Sequence, residues 1–394
     1  MTALLLPGPD GALAEHTLGA PGAWTKPSAP LTSRVVYAAA HVVPQRWADN
    51  SPGAPAVLDW DATLAFRHEL WSYGLGIADA MDTAQRGMGL DWAATQELVR
   101  RSAAEAAAVG GMLACGAGTD QLDLTTLPSG RRGLDAVLGA YREQVELVAG
   151  SGATVILMAS RALAAVASGP QDYLDVYGTL LDEVDRPVIL HWLGPMFDPA
   201  LAGYWGSGDV ASATDTFLEL VEAHPGTVDG VKVSLLDASH ETALRARLAA
   251  ITPRVRLYTG DDFNYPELIH GDGTHHSDAL LGIFAAIAPL ASTAIQAYDA
   301  GDADRGHALL ASTEALGRHI FSAPTPHYKT GVAFLAWLNG RQPGFVMVGG
   351  QQAGRSLPHL VQTFRLADAA GLLLDPELAA SRMRDLLAVH GMVG

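Results

Sequence analysis

One lysine lies in a segment whose pattern could activate an amine. Lys232 falls within residues 228–234 (VDGVKVS), a short apolar run typical of a buried strand. Side chains alternate between the two faces of a strand, so Lys232 shares its face with Gly230 and Ser234. If that face is poorly solvated, the ammonium form is disfavoured, and the free amine can attack a carbonyl carbon to form an imine. The alternative is a lysine at a strand end with its amine in solvent, and alternation alone leaves both interpretations open.

Five other polar residues follow the ends of apolar runs, where the active-site groups of barrel proteins are positioned. His191 and Asp82 could move protons, because an imidazole titrates near neutral pH and a carboxylate can act as a base. Arg161 could bind an anionic group through its planar guanidinium. His41 and Asp261 complete the set. For each, a structural hydrogen bond or ion pair is the alternative, and aspartates such as Asp261 often brace their own loop.

The elements that would position these residues repeat as one unit. From Arg34 onward, short runs rich in valine, isoleucine and leucine alternate with longer segments of helical periodicity, the pattern of parallel strands joined by crossover helices. The candidate strands span residues 35–40, 75–80, 112–115, 154–158, 187–191, 230–234, 255–259 and 273–276. Helices are expected between them at residues 61–72, 91–108, 134–149, 173–183, 213–223 and 240–250. Eight such units predict a closed (β/α)8 TIM barrel, and no glycine-rich GxGxxG turn of an open nucleotide-binding sheet follows the first strand.

The two ends of the chain depart from this repeat. Residues 1–33, rich in proline and glycine, are expected to form a poorly structured or surface-wrapping N-terminal arm before a barrel over residues 34–300. Residues 301–394 are predicted to be a helical C-terminal extension. Its expected helices span residues 304–320, 330–338, 357–370 and 376–389. Lys329 is a rival amine in this extension, but a helix start is expected to leave it exposed and therefore charged.

Composition predicts a folded cytoplasmic enzyme and excludes several kinds of partner. Hydrophobic residues make up 49% of the chain and charged residues 17%, as in globular proteins. The formal net charge of -17 opposes unaided binding to nucleic acid or anionic lipid, which both demand clustered cations. The apolar stretch at residues 280–295 contains Pro289 and is shorter than the ~20 residues of a membrane span, so we expect a buried helix. The single cysteine, Cys115, fits a reducing compartment, and no signal peptide is recognisable.

Several of these motifs occur in an order that resembles a known family. Residues 228–232 (VDGVK), followed by residues 257–262 (LYTGDD), resemble the GIK and SGDD motifs of the dihydrodipicolinate synthase and N-acetylneuraminate lyase superfamily. Residues 57–64 (VLDWDATL), 187–190 (PVIL) and 269–273 (IHGDG) resemble its first helix, its fifth strand and the segment before its eighth strand. The resemblance covers about residues 34–320. It implies a class I aldolase or lyase without a cofactor, in which Lys232 forms a Schiff base with a 2-oxo acid such as pyruvate.

Two departures from the family motifs bear on the substrate. The family loop GTTGE, which holds the pyruvate carboxylate, corresponds to residues 81–85 (MDTAQ), where Thr83 remains and Asp82 replaces a threonine. Asp82 would repel a substrate carboxylate in a low-dielectric pocket unless a cation intervened, which favours a hydroxylated ketone or aldehyde. The tyrosine of the family's PYYNRP segment is also absent, since residues 157–161 (LMASR) stand there. Asp82 or His191 is therefore expected to replace it as the proton carrier.

These expectations combine into a barrel lyase or aldolase acting on a small hydroxylated carbonyl compound, assembled as a homo-oligomer. The expected catalytic residues are Lys232, Asp82 and His191, and the expected substrate-binding residues are Thr83, Arg161, His41, Asp261 and Ser234. No metal is expected, because His270, Asp272, His275 and His276 lack the HxH or HExxH spacing of metal sites. A metal-dependent hydrolase or isomerase and a non-catalytic ligand-binding barrel remain the alternatives.

Overall fold

A two-stranded antiparallel hairpin begins the chain in the computed structural model, which describes residues 2–81 and 85–392. Its strands are β1 (Ala3–Pro7) and β2 (Leu13–Thr17). Leu4 and Leu6 of β1 are buried, and β1 packs against two of the C-terminal helices. Of the two forms expected for the N-terminal arm, residues 3–17 therefore do not adopt the poorly structured one. The division of the chain into arm, barrel and extension stays a prediction.

Eight parallel strands close into the predicted barrel. They are β3 (Val36–Ala39), β4 (Gly76–Asp79), β5 (Leu113–Ala117), β6 (Thr154–Leu157), β7 (Val188–Leu193), β8 (Val228–Ser234), β9 (Arg256–Thr259) and β10 (Asp278–Leu281). Neighbours pair in sequence order, and β10 closes on β3. The first seven predicted strands are confirmed, but the eighth, at residues 273–276, is wrong. Asp272 there accepts hydrogen bonds from the backbone of Thr274 and His275, which makes a turn, and the strand begins at Asp278.

Helices follow the strands around the barrel. The crossover helices are α1 (Trp60–Ser72), α2 (Trp92–Val109), α3 (Arg131–Ser151), α4 (Arg161–Val166), α5 (Pro170–Glu183), α6 (Val210–Ala223), α7 (Ala238–Leu248) and α8 (Tyr265–His270). Six of these were predicted and are confirmed, with shifted ends. The short helices α4 and α8 were not predicted. No helix among the described residues is both long and apolar enough to cross a membrane.

The C-terminal part is helical, as predicted. It comprises α9 (Phe284–Asp299), α10 (Ala303–Ala311), α11 (Glu314–Ile320), α12 (Tyr328–Leu338), α13 (Leu357–Ala369) and α14 (Pro376–Val389). The predicted helix at residues 304–320 is two helices, because the Thr313 hydroxyl donates to the carbonyl of Leu310 and ends the first of them. The helix expected at residues 280–295 starts only at Phe284, since Leu280 and Leu281 belong to β10.

The barrel interior has its own hydrophobic cluster, separate from the one between strands and helices. Its large members are Tyr37, Met81, Ile156, Met158, Ile189, Tyr258 and Leu280. Alternation places small residues on the same inward face, among them Ala39, Ala78, Ala114, Gly116 and Gly230. The small residues leave space beside the inward-facing side chains, and the carboxyl ends of the strands are where barrel proteins hold their functional groups.

Candidate active site

Lys232 lies on the inward face of β8, as the strand alternation predicts. It pairs in register with His191 on β7 and with Tyr258 on β9. The residue is only 8% exposed. A Cβ atom at Gly260 would come within 3.0 Å of Lys232 Cε, so glycine at this position gives the lysine side chain its space. The amine therefore sits on a poorly solvated face, as its proposed chemistry needs.

His191 and Ser234 contact each other beside Lys232. The Nε2 atom of His191 and the Oγ atom of Ser234 are 3.3 Å apart, and both residues are buried. His191 lies two residues after Ile189, a member of the interior cluster, so it shares that inward face. An amine, an imidazole and a hydroxyl thus line one face of two adjacent strands. The three residues were proposed from the sequence, and the fold brings them together.

Asp262 and Lys329 join this region from two other elements. Asp262 follows β9, and its Oδ1 atom accepts a hydrogen bond of 2.7 Å from the backbone N–H of Ile283. Lys329 lies in the first turn of α12, and its Nζ atom donates to the carbonyl oxygen of Ala39 at the end of β3. Lys329 is 2% exposed, so the expectation that a helix start would leave it in solvent is wrong. The cause is that α12 lies over the end of the barrel, which its own sequence pattern does not reveal.

Electrostatics tune these two groups toward neutral pH. Burial raises the pKa of Asp262 to about 7, while its hydrogen bond from Ile283 and the charges of Lys232 and Lys329 act to lower it. Burial lowers the pKa of Lys329 to about 7, with Asp262 acting to raise it and Lys232 acting to lower it further. Both groups can therefore give or accept a proton under physiological conditions. One feature of the sequence pointed to Lys329 as a functional residue: the chain has only three lysines, so each is a candidate amine.

Asp261 braces its own loop, the alternative that the sequence allowed. Its Oδ1 atom accepts hydrogen bonds of 2.9 Å from the backbone of Phe263 and of Asn264. Its Oδ2 atom accepts one of 2.7 Å from the side-chain amide of Asn264. The carboxylate is thus engaged within the turn that follows β9, and this turn carries the adjacent Asp262.

His41 lies beside helix α1. Its ring packs against Phe66 with centroids 4.8 Å apart, and its Nε2 atom is 2.7 Å from the Oε1 atom of Gln342. Since an amide oxygen only accepts, Nε2 carries the hydrogen. Burial lowers the pKa of His41 to about 3, so the imidazole is neutral. The contact connects the end of β3 to the C-terminal extension, and a role of His41 in substrate binding stays a prediction.

Arg161 lines a separate cavity at the carboxyl ends of β5, β6 and β7. The cavity has a volume of about 230 Å³, and its lining includes Thr119, Asp120 and Ser160. The guanidinium of Arg161 is paired with the carboxylate of Asp198. Lys232 is not among the described residues that line this cavity. The structure therefore does not bring Arg161 together with Lys232 in one pocket.

Asp82 and Thr83 lie outside the described residues, so their roles remain predictions. Hydrogen bonds and an ion pair of Arg86 fix the segment that follows them. The guanidinium of Arg86 donates to the carbonyls of Ala80 and Gly116, at 3.2 and 2.8 Å, and pairs with Asp120. No group of three or more histidine, cysteine, aspartate or glutamate side chains in residues 2–81 and 85–392 is arranged to hold a metal ion.

A buried ion pair beneath this region was missed from the sequence. Arg67 on α1 binds Asp79 at the end of β4 through two hydrogen bonds of 2.8 and 2.7 Å, and both side chains are fully buried. The hydroxyl of Ser102 donates to the same carboxylate, and Arg67 also donates to the carbonyl of His41. The charges of both partners also act on Lys329: Arg67 lowers the pKa of this lysine and Asp79 raises it.

Comparison with solved structures shows the same fold in dihydrodipicolinate synthases. YagE, a prophage protein of the dihydrodipicolinic acid synthase family from E. coli K12 solved with pyruvate, has a TM-score of 0.66 at 13% identity, over 86% of this chain and 99% of that chain. The synthase from Thermotoga maritima has a TM-score of 0.62 at 13% identity, over 86% and 99%. The synthase from Acinetobacter baumannii, also solved with pyruvate, has a TM-score of 0.61 at 15% identity, over 86% and 100%. The resemblance seen in the sequence motifs is thus confirmed as a likeness of fold.

Sequence comparison identifies the family of the chain. No curated protein matches it in sequence. The family model described as "Protein of unknown function (DUF993)" matches residues 4–392, nearly the whole chain. The protein therefore belongs to the DUF993 family and has the fold of dihydrodipicolinate synthases.

Proposed function

We propose that this protein is a class I aldolase or lyase whose imine-forming amine is Lys232. The observation that carries the proposal is the position of Lys232, a buried amine on the inward face of β8, paired in register with His191. An amine held on a poorly solvated face is favoured in its neutral, nucleophilic form. The dihydrodipicolinate synthase fold supports the same reaction class, and two of the similar structures were solved with a carbonyl compound, pyruvate.

The substrate class that we propose is a small hydroxylated ketone or aldehyde. Ser234 and His191 offer hydrogen bonds to hydroxyl groups next to the amine. Asp82, which replaces a threonine of the family's carboxylate-binding loop, disfavours a plain 2-oxo acid. In the reaction, the protonated imine withdraws electrons from the neighbouring carbon, so a carbon–carbon bond at that position can break or form. We propose His191 as one group that moves the accompanying proton.

Reductive trapping tests this assignment. The protein is incubated with cyanoborohydride together with one carbonyl probe at a time: pyruvate, glycolaldehyde or dihydroxyacetone. Mass spectrometry of peptides then locates the covalent adduct. Since the chain has only three lysines, Lys26, Lys232 and Lys329, each site is resolved without ambiguity. We expect a stable adduct on Lys232 with at least one probe, and no adduct there in the Lys232→Ala variant. If the wild-type protein forms no adduct on Lys232 with any of the probes, the proposal is overturned.

A further inference from the structure

Two of the three lysines of the chain lie in one region of the barrel. Of the 25 basic residues, only Lys26, Lys232 and Lys329 are lysines, so the other cations are arginines. Lys26 is exposed, with its Nζ atom 5.1 Å from the centre of the Tyr73 ring. Lys232 and Lys329 are both buried, on β8 and on α12 respectively. Burying an ammonium is costly unless it is paired, so a second interior lysine calls for a reason beyond solubility.

Contacts of Lys329 and of the adjacent Tyr328 set the position of Lys329. Its Nζ atom donates to the carbonyl of Ala39, an interior residue at the end of β3. The ring of Tyr328 lies 5.3 Å from the same Nζ atom and stacks on Phe321. Tyr328 also contacts Phe197, which follows β7, with ring centroids 6.2 Å apart. These contacts hold the start of α12 across the carboxyl ends of the strands, the side of the barrel to which β8 brings Lys232.

Asp262 links the two amines electrostatically. The charges of Lys232 and Lys329 both act to lower the pKa of Asp262, and Asp262 acts to raise that of Lys329. The carboxylate is held in place by the N–H of Ile283. The site therefore contains one amine on the barrel strand, one amine on the C-terminal extension, and one carboxyl group whose pKa both amines lower.

We propose that Lys329 is a catalytic acid–base residue that donates a proton to the carbonyl oxygen of the substrate while Lys232 forms its imine. This inference rests on the proposed function and names a second proton-transfer group in addition to His191. It also assigns the C-terminal extension a part in the active site.

The proton balance of imine formation shows why such a donor is needed. The neutral amine of Lys232 adds to the carbonyl carbon, so a carbon–nitrogen bond forms and the oxygen becomes an alkoxide. One proton passes from the nitrogen through the Asp262 carboxylate to that oxygen, and a second comes from the Lys329 ammonium. The carbon–oxygen bond then breaks, water leaves, and the nitrogen keeps one hydrogen as a protonated imine. Lys329 ends as a neutral amine, ready to take a proton back when the imine is hydrolysed.

The ionisation of Lys329 is suited to this exchange. Burial lowers its pKa to about 7, so ammonium and amine forms coexist near neutral pH. A group that gives a proton in one half-reaction and recovers it in the other works best when its pKa is close to the working pH. An ordinary surface lysine, charged throughout the physiological range, would give up its proton much less readily.

The test compares trapping rates in variants of the full-length protein with glycolaldehyde, dihydroxyacetone and pyruvate as probes. Lys329→Met keeps the length and apolar stem of the side chain, so it is expected to fold with an unchanged or higher melting temperature. We expect its rate of adduct formation on Lys232 to fall ~10²- to 10⁴-fold, the usual contribution of a positioned acid or base. Lys26→Met is the matched control on the surface and should trap at the wild-type rate.

Chemical rescue separates a proton-transfer role from a structural one. In Lys329→Ala, added ethylamine should restore part of the lost rate, because the small amine can occupy the space left by the side chain. It should not help Lys329→Met, in which that space is filled. Loss of rate in both variants without rescue of the alanine variant would overturn the acid–base role.

Two further outcomes distinguish this inference from the proposed function. If Lys329→Met forms the adduct on Lys232 at the wild-type rate, the role of Lys329 is overturned and the proposed function stands. If the wild-type protein forms no adduct with any probe, or forms it on Lys329 instead of Lys232, the proposed function fails and the inference fails with it.

Discussion

The Asp262 carboxylate and the Lys329 ammonium each stabilise the charged form of the other at the end of the barrel. Burial raises the pKa of Asp262 to about 7, and the charge of Lys329 is one of the influences that lower it. Burial lowers the pKa of Lys329 to about 7, and Asp262 is the largest influence that raises it. The two side chains come from a loop after β9 and from the C-terminal extension, so the tertiary fold creates this coupling.

Replacing Asp262 with asparagine should move the pH dependence of trapping to lower pH. The carboxylate supports the ammonium form of Lys329, so its loss lowers the pKa of that lysine further. The proton donor is then present only at lower pH, and the alkaline decline in rate should shift downward by about 1 unit. The rate of adduct formation between pH 5 and 9 measures this. An alkaline limb that stays in place, or moves upward, would contradict the coupling.

Placing a methyl group at Gly260 should disturb Lys232. The new Cβ atom would lie 2.2 Å from Ser234 Oγ, 2.6 Å from the carbonyl oxygen of Val233 and 3.0 Å from Lys232 Cε. We expect Gly260→Ala to slow trapping at least about tenfold and to lower the free energy of unfolding by ~1–3 kcal/mol.

The matched control is Gly139→Ala, an exposed position in α3 where an added Cβ meets no atom within 4 Å. It should keep the wild-type trapping rate and raise the free energy of unfolding by about 0.5–1 kcal/mol. Urea unfolding and the trapping assay measure both variants. Wild-type trapping by Gly260→Ala would show that this glycine does not position Lys232.

Breaking the Arg67–Asp79 ion pair on one side should be strongly destabilising. Both side chains are fully buried, so Arg67→Met leaves an unpaired buried carboxylate and should cost ~3–5 kcal/mol. The double variant Arg67→Met with Asp79→Leu removes both charges and should be more stable than the sum of the two single changes implies. Urea unfolding of the wild type and the three variants completes the cycle. Additive effects would show that the pair is not energetically coupled.

His41 should make the protein less stable as the pH falls below 6.5. Burial lowers its pKa in the folded protein to about 3, whereas an unfolded histidine titrates near 6.5. Between these values the unfolded state binds a proton that the folded state does not, so the free energy of unfolding decreases as the pH decreases.

His41→Gln keeps a hydrogen-bond donor and removes this titration. Its free energy of unfolding should fall less steeply between pH 6 and 4, by up to about 1.4 kcal/mol per pH unit. His276 and His359, whose pKa values burial also lowers, to about 4 and 3, contribute equally to both proteins and cancel in the difference. Parallel stability curves for wild type and variant would refute the prediction.

Strand order and the inward direction of Lys232 could be predicted because they follow from local periodicity. The apolar run around Lys232 fixes which residues share its face, whatever lies on the neighbouring strands. The same reasoning failed for the eighth strand. Residues 273–276 carry polar side chains and a turn, while the short apolar run at residues 278–281 merges in the sequence with the helix that follows it.

The sequence by itself determined the barrel, its crossover helices and the candidate nucleophile, and only the tertiary structure decided what surrounds that nucleophile. Lys329 contacts Ala39 across 290 residues of sequence, and Asp262 is buried by the segment that begins α9. Burial and neighbouring charge set the protonation of these groups, and both depend on which surfaces of distant segments meet. Periodicity within one segment does not show which distant segments pack against it. The sequence alone therefore predicted an exposed Lys329, whereas the fold buries this residue beside the barrel strands.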